Sequence, residues 1–424
     1  MTPKQFYFVT QHQVNKKKII NDPVLGFINL QSELIYDIIE HPVFQRLRRI
    51  KQLGLSYLVF PGANHSRFEH ALGAVHLMRQ AVSVLRMKGH EITEEEADSV
   101  SAAILLHDIG HAPFSHVLEN TLVDISHEKI SLMLMNQLNS EFSGKLDIAI
   151  AIFTNQYKKQ FLHQLVSGQL DMDRLDYLNR DSFFTGVAEG TIGVERIIKM
   201  LNIWKDQLVV EEKGIYSIEK FLISRRLMYW QVYLHKTVVS AENLLVNILQ
   251  RARELSLGGT NIYATPALSI FLQNSFSEND FLMNPVIEGN TLLDWYAQLD
   301  DNDISISLKL WQSHSDKVLS TLSKHLINRN LFRIQLSNTP IHGEENLIKE
   351  VSNQLKLTTE EARYFVMKGE ITNNAYNKHS EKILVLDKIG KTKEMQQASD
   401  INLSALTKTV KKYYLCFPKE LDIY

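Results

Sequence analysis

The chain has 424 residues, 44% hydrophobic and 22% charged, which is the balance of a folded globular protein and excludes a disordered or fibrous one. Its 46 basic and 48 acidic side chains leave a formal charge of −2, so no global field draws it to nucleic acid or an anionic membrane, and any bound anion must be held by a local cluster. The single cysteine, Cys416, excludes an intrachain disulfide framework and a thiolate zinc cage and fits a reducing compartment.

The opening MTPKQFYFVTQHQVNKKKII has polar residues where a signal peptide needs an apolar core. No apolar run approaches the roughly 20 residues of a membrane helix, so the expected compartment is the cytoplasm, with no membrane partner. SRFEHALGAVHLMRQAVSVLRM sets Phe68, Leu72, Val75, Met78, Ala81 and Leu85 at steps of three or four, which predicts a helix with one buried stripe. EEEADSVSAAILLHD starts acidic and turns apolar, which predicts a core helix with His107 and Asp108 at its deep end. DQLVVEEKGIYSI predicts a short hairpin turning around Lys213-Gly214, followed by a long helix from about Ile218 to Leu255. Beyond LINRNLFRIQL the pattern loosens into strands at LFRIQL, KILVLDK and KKYYLCFP, with a helix pair in GEENLIKEVSNQLKLTTEEARYFVM between the first two. The expected fold is mainly α: a helical core over 1–330 with its motifs within 18–236, and a smaller mixed α+β C-terminal lobe over 331–424.

Of the 16 histidines, eight fall between His65 and His127. A lone core histidine is usually just hydrogen-bonded to a carbonyl, but an adjacent His107-Asp108 pair ending an apolar helix is costly to bury unless it binds something. Consecutive helical residues diverge by about 100°, so the pair can share one ion only in the wedge between them, which leaves room for ligands from other helices. Imidazole with carboxylate suits Mn, Fe, Zn, Ni or Co, and Mg where substrate phosphates add oxygens; a divalent ion, Mg, Mn or Fe foremost, is the expected cofactor. NHSRFEH offers His70 with Arg67 on the same helical face. GQLDMDRLDYLNRD would alone read as a solvated charged face, yet Arg174, Tyr177 and Asp181 share one side of it with Asp173 adjacent. Residue types alone support metal-assisted hydrolysis of a phosphoester or phosphoanhydride.

The segments INDPVLGFINL, HPVFQRLRRIKQLGLSYLVFPGANHSRFEHALGAVHLM, LLHDIGHAPFSHVLE, SHEKIS, DMDRLDYLNRD and RRLMYWQVYLHK occur in this order over roughly Lys18 to Lys236. In that order they resemble the HD-domain phosphohydrolases, and within them the deoxynucleoside triphosphate (dNTP) triphosphohydrolases, including the catalytic core of the vertebrate enzyme with a sterile alpha motif. The resemblance implies hydrolysis of a dNTP to deoxynucleoside and inorganic triphosphate. By position it implies His70, His107, Asp108 and Asp173 as metal ligands, and His111, His116 and His127 as further active-site histidines. Glu119 stands where the vertebrate enzyme has an aspartate. Arg67, Arg174 and Arg225 match phosphate contacts, although Arg174 replaces a lysine, and Arg grips phosphate with two bonds where Lys is a point charge. Gln52 and Asp181 match contacts to the sugar 3′-hydroxyl, and Leu53 and Tyr233 match the enclosure that excludes a 2′-hydroxyl. Tyr177 belongs to the same substrate-facing side.

The resemblance further implies an activating nucleotide at a subunit interface of a homo-oligomer, dimer or tetramer. Lys18, Ile19, Asn21, Gln45 and Arg48 match that site, Arg196 and Lys213 match a second phosphate patch, and Glu40 stands where the vertebrate enzyme reads guanine with an aspartate. Two other readings compete. An HD hydrolase for a cyclic dinucleotide or an alarmone would lack the Gln52-Leu53 and Tyr233 enclosure. A nucleotide- or nucleic-acid-binding scaffold would need no full ligand set and would bind with steep salt dependence.

Overall fold

A computed structural model of the chain describes residues 18–30, 32–114, 117, 121–373, 382–403 and 410–421. The N-terminal hairpin pairs β1 (Lys18–Asp22) with β2 (Gly26–Leu30). Its turn is closed by Asp22, whose Oδ1 accepts from the amides of Val24 and Leu25.

Two helices run through the centre of the fold and pack on each other: α1 (Arg67–Met87) and α2 (Glu94–Leu106). The stripe from Phe68 to Leu85 is buried, and so are Ala71, Ala74, Leu77 and Val82, so α1 buries more than the single stripe its spacing predicts. The last three residues of α2, Ile104 to Leu106, are wholly buried, and the chain leaves the helix at His107. Across α1 lies α3 (Met172–Thr185). Gly73 permits that approach, because a Cβ there would overlap the Asp176 carboxylate and the Arg180 guanidinium. Gly73→Ala is therefore expected to destabilise the fold by about 1–3 kcal/mol through overpacking, measurable by chemical denaturation.

Two sequence expectations are corrected. The hairpin is formed by β3 (Leu201–Trp204) and β4 (Gln207–Glu211), and it turns at Lys205-Asp206, both with positive φ. Gly214 instead packs against Val210 and Met200 just before the next helix. The long helix is broken: α4 (Ile215–Met228) passes into a wide π turn at Tyr229–Tyr233, and α5 (Lys236–Leu257) restarts after His235, whose Nδ1 accepts from the Thr237 amide.

The strands predicted near the C-terminus form as β5 (Arg333–Ser337), β7 (Leu384–Leu386) and β9 (Val410–Phe417), joined by β6 (Met367–Asn373) and β8 (Thr392–Glu394), and the predicted helix pair is Glu344–Leu355 and Thr359–Arg363. The antiparallel sheet β6-β9-β5 lies against α5, with the Tyr414 hydroxyl bonded to Asn243 and the Cys416 thiol to Ser240. β7 pairs in parallel with β4, completing a sheet of order β8-β7-β4-β3. Among the described residues no helix is long and apolar enough to cross a membrane.

Candidate active site

Three helix ends meet at one place. The first turn of α1 is fixed by Glu69, whose carboxylate accepts from the Ser66 amide and hydroxyl, and it carries Arg67 and His70. The turn after α2 carries His107, Asp108 and His111. The N-terminus of α3 is capped by Asp171, which accepts from the Arg174 amide, and its first turn carries Asp173 and Arg174.

His70 Nε2 lies 3.1 Å from Asp173 Oδ1 and 4.0 Å from Asp108 Oδ2, and His107 Nε2 lies 3.4 Å from Asp173 Oδ1 and 3.2 Å from Asp108 Oδ1. Both Nε2 atoms are buried and make no hydrogen bond. The opposite ring nitrogens are engaged, His70 Nδ1 with Asp176 Oδ2 at 2.8 Å and His107 Nδ1 with the Ile104 carbonyl at 2.6 Å. A proton on each Nδ1 leaves the Nε2 lone pairs facing two carboxylates, which is the donor set a divalent cation requires. His70, His107, Asp108 and Asp173 therefore fit the ion that the sequence implies. Burial opposes a charge on His70, but the nearby Asp173 and Asp176 carboxylates raise its pKa to about 10, and Asp108 and Asp173 likewise raise His107 against its burial. The carboxylates hold positive charge at this spot, whether a proton or a metal.

Ion and proton then compete for one nitrogen. His70 keeps its proton up to about pH 10 in the ion-free protein, so loading at pH 7 to 8 must expel it. Apparent affinity should rise with pH, by up to about tenfold per unit in that range. Calorimetric titration in buffers of differing protonation enthalpy should count about one proton or more released per ion; none released would remove His70 from the ligand set.

Asp108 also faces His111, with Nε2 at 3.3 Å, and its other oxygen accepts from Arg67. His111 stacks on His127 with centroids 3.8 Å apart. Burial and the Arg67 charge push the His111 pKa well down, so this ring is neutral, whereas the charges of His107 and Arg67 and the hydrogen bond from His111 hold the Asp108 carboxyl well below the usual range despite its burial. His70, His107 and Asp173 form one group with metal-ligand spacing, and Asp108, His111 and His127 form a second beside it. His116 and Glu119 lie outside the described residues.

Arg174 pairs with Asp171, and Arg225 reaches Gln169 at 3.3 Å and lies over the Tyr229 ring. Rings of His70, Tyr177, Tyr233 and Tyr229 follow one another edge to face at 5.2–6.4 Å. Asp181 is buried, its Oδ1 2.8 Å from His65 Nε2 and its Oδ2 accepting from the Tyr233 hydroxyl at 2.8 Å. Gln52 joins this group through its amide, which donates to the His65 carbonyl, while its buried side-chain Oε1 has no partner. The metal-ligand candidates, the three arginines and the sugar-contact candidates thus line one site, with Leu53 next to Gln52.

Sequence reasoning missed the supports. His65 holds Asp181. Asp176 holds His70 and is held by Arg180, which also donates to Asp22 at 2.7 Å in the N-terminal hairpin; all four groups are buried. Arg46, wholly buried, donates to the carbonyls of Ile109, His111 and Leu299. Asp176 and Arg180 were visible as an i,i+4 opposite-charge pair. Arg46 carried no sequence signal, because its partners are backbone carbonyls.

The residues matched to a regulatory nucleotide lie on several elements. Lys18, Ile19 and Asn21 are exposed on β1, and Glu40 is exposed at the end of a helix, Glu33–Glu40. Gln45 accepts from exposed Arg48, which covers the Phe68 ring. Arg196 donates to the Lys213 carbonyl and borders an open groove of about 580 Å³ beside the hairpin.

Residues 67–181 match the HD domain family and 192–264 match the HD associated region. The chain is 33% identical to YwfO, an uncharacterized protein of Bacillus subtilis, over 96% of this chain and 94% of that one. A crystal structure of a phosphohydrolase from Bacteroides thetaiotaomicron superposes with a TM-score of 0.91 at 56% identity, covering 95% of this chain and 99% of that one. The human deoxynucleoside triphosphate triphosphohydrolase SAMHD1 is 29% identical over 58% of this chain and 46% of its own. The chain belongs to the HD-domain family and is an HD phosphohydrolase; its relatives include dNTP triphosphohydrolases.

Proposed function

We propose that the protein hydrolyses dNTPs to the deoxynucleoside and inorganic triphosphate. The observation that carries this reading is the meeting of two His/Asp clusters with metal-ligand spacing with Asp181, whose two oxygens are held by His65 and Tyr233 beside Gln52. The similarity to SAMHD1 supports it. A divalent ion held by His70, His107, Asp108 and Asp173 would supply Lewis-acid charge for phosphoryl transfer to water. Arg67, Arg174 and Arg225 neutralise charge that develops on the phosphates, the largest electrostatic demand of the reaction. Neutral His111 can take a proton from the attacking water, with His127 stacked against it; His116 and Glu119 are assigned to the same acid-base group. Gln52 and Asp181 bind the sugar 3′-hydroxyl, Leu53 and Tyr233 close the space a 2′-hydroxyl would need, and Tyr177 backs the base and sugar. An activating nucleotide at a homo-oligomer interface would use the exposed groups on β1, at Gln45 and Arg48, and at Arg196 and Lys213.

The test is a product assay with each dNTP and with GTP, with Mg or Mn, resolved by chromatography. Deoxynucleoside plus triphosphate is expected, with no turnover of ribonucleotides as substrates. No turnover of dNTPs, singly or mixed, would overturn the reading. Tyr233→Ala is expected to lower the dNTP-over-NTP ratio of kcat/KM by about tenfold or more, because it removes both a wall and a hydrogen bond to Asp181.

A further inference from the structure

Asp301 lies well beyond residues 67–181 and 192–264, the segments that match the family. It opens the helix α6 (Asp301–Trp311) and is 6% exposed. Its two carboxylate oxygens serve two different segments: Oδ2 accepts from the Lys51 amide at 2.9 Å and Oδ1 from the Phe114 amide at 2.8 Å. The first segment leads directly into Gln52 and Leu53. The second ends the turn that carries His107, Asp108 and His111.

The two segments touch at one further point. Gly54 has φ +48, and a Cβ there would sit 3.3 Å from the Phe114 carbonyl oxygen. Phe114 itself has φ 52, a conformation that a bulky residue adopts only when its surroundings impose it. The same helix junction grips the histidine turn from behind: Arg46 bridges the Leu299 carbonyl to those of Ile109 and His111, and the Tyr296 hydroxyl donates to the Gly110 carbonyl at 2.7 Å.

We propose that Asp301 is a positioning residue for sugar selection: by bonding both amides at once it fixes the Gln52-Leu53 enclosure relative to the catalytic histidine turn. The assignment rests on the dNTP reading above. Only a carboxylate can accept at both ends. Asn is isosteric but offers one acceptor and turns an amide N–H toward the other backbone N–H.

The test compares Asp301→Asn with the wild type and with Asp316→Ala. The latter removes a helix cap remote from the site, where Asp316 Oδ1 accepts from the Leu319 amide, and so controls for a general loss of stability. For Asp301→Asn, kcat and the dNTP-over-NTP ratio of kcat/KM are each expected to fall about tenfold with metal content unchanged, while Asp316→Ala keeps the wild-type ratio. Amide hydrogen exchange should accelerate in peptides covering 49–56 and 109–114 and not in those of α1. A wild-type ratio in folded Asp301→Asn, or acceleration spread evenly over the chain, would overturn the proposal. If the wild type turns over no dNTP, the substrate reading fails, and the exchange pattern alone still decides whether Asp301 couples the two segments.

Discussion

Replacing Asp108 by alanine is expected to lower turnover by roughly three orders of magnitude or more and to strip the protein of its divalent ion. The carboxylate does two things at once. It contributes oxygens within 3.2–4.0 Å of both buried Nε2 atoms, and it is the counter-charge for Arg67. Without it, Arg67 and a protonated His70 stay in one buried site, which repels a further cation. Metal analysis after dialysis, run beside the product assay, checks this. Turnover within tenfold of the wild type, with the ion retained, would show that the quartet does not hold the catalytic metal.

Arg180→Ala is expected to cost about 3–5 kcal/mol of folding stability, the range for removing one partner of a buried ion pair. Arg180 links Asp176 to Asp22, and both acids lose its charge together. The damage should travel to the metal, because Asp176 sets which nitrogen of His70 carries the proton. A change in such a supporting group typically weakens metal binding by about 10–100-fold. Denaturant unfolding and metal titration read the two effects separately. A stability loss with unchanged metal affinity would mean that Asp176 orients His70 without Arg180. Arg180→Lys should recover only part, since an ammonium cannot grip Asp176 with two bonds while reaching Asp22.

What the sequence made legible is what local chemistry dictates. The helices carrying His70 and His107 were visible because apolar spacing and acidic first turns agree with each other and with the packing that forms. The break at Tyr229–Tyr233 was not visible, since no proline or glycine marks it and the apolar spacing runs straight through. The break goes with a tertiary contact, the Tyr233 hydroxyl on Asp181. The hairpin was placed one turn late because Gly214 gives the stronger turn signal, whereas Lys205 and Asp206 take left-handed conformations that their residue types favour only weakly. In the site, the ion-binding quartet and Arg67 could be picked out by residue type and resemblance. Of the groups that hold them, Asp176 and Arg180 showed only as an i,i+4 pair without a role, and Arg46 and Asp301 left no signal, because they act through partners distant in the chain or on the backbone.

The parallel pairing of β7 with β4 bears on how this chain is made. Val209 finds its neighbour Leu384 only after the whole intervening helical region has left the ribosome, so during synthesis β4 presents an unpaired apolar edge, with Val209 and Val210 still waiting for cover. A chain stopped near residue 330 would lack β7 and leave that edge of β4 without its partner strand. Growing chains would then depend on chaperones late in translation, and premature termination would release an aggregating fragment rather than a smaller working enzyme.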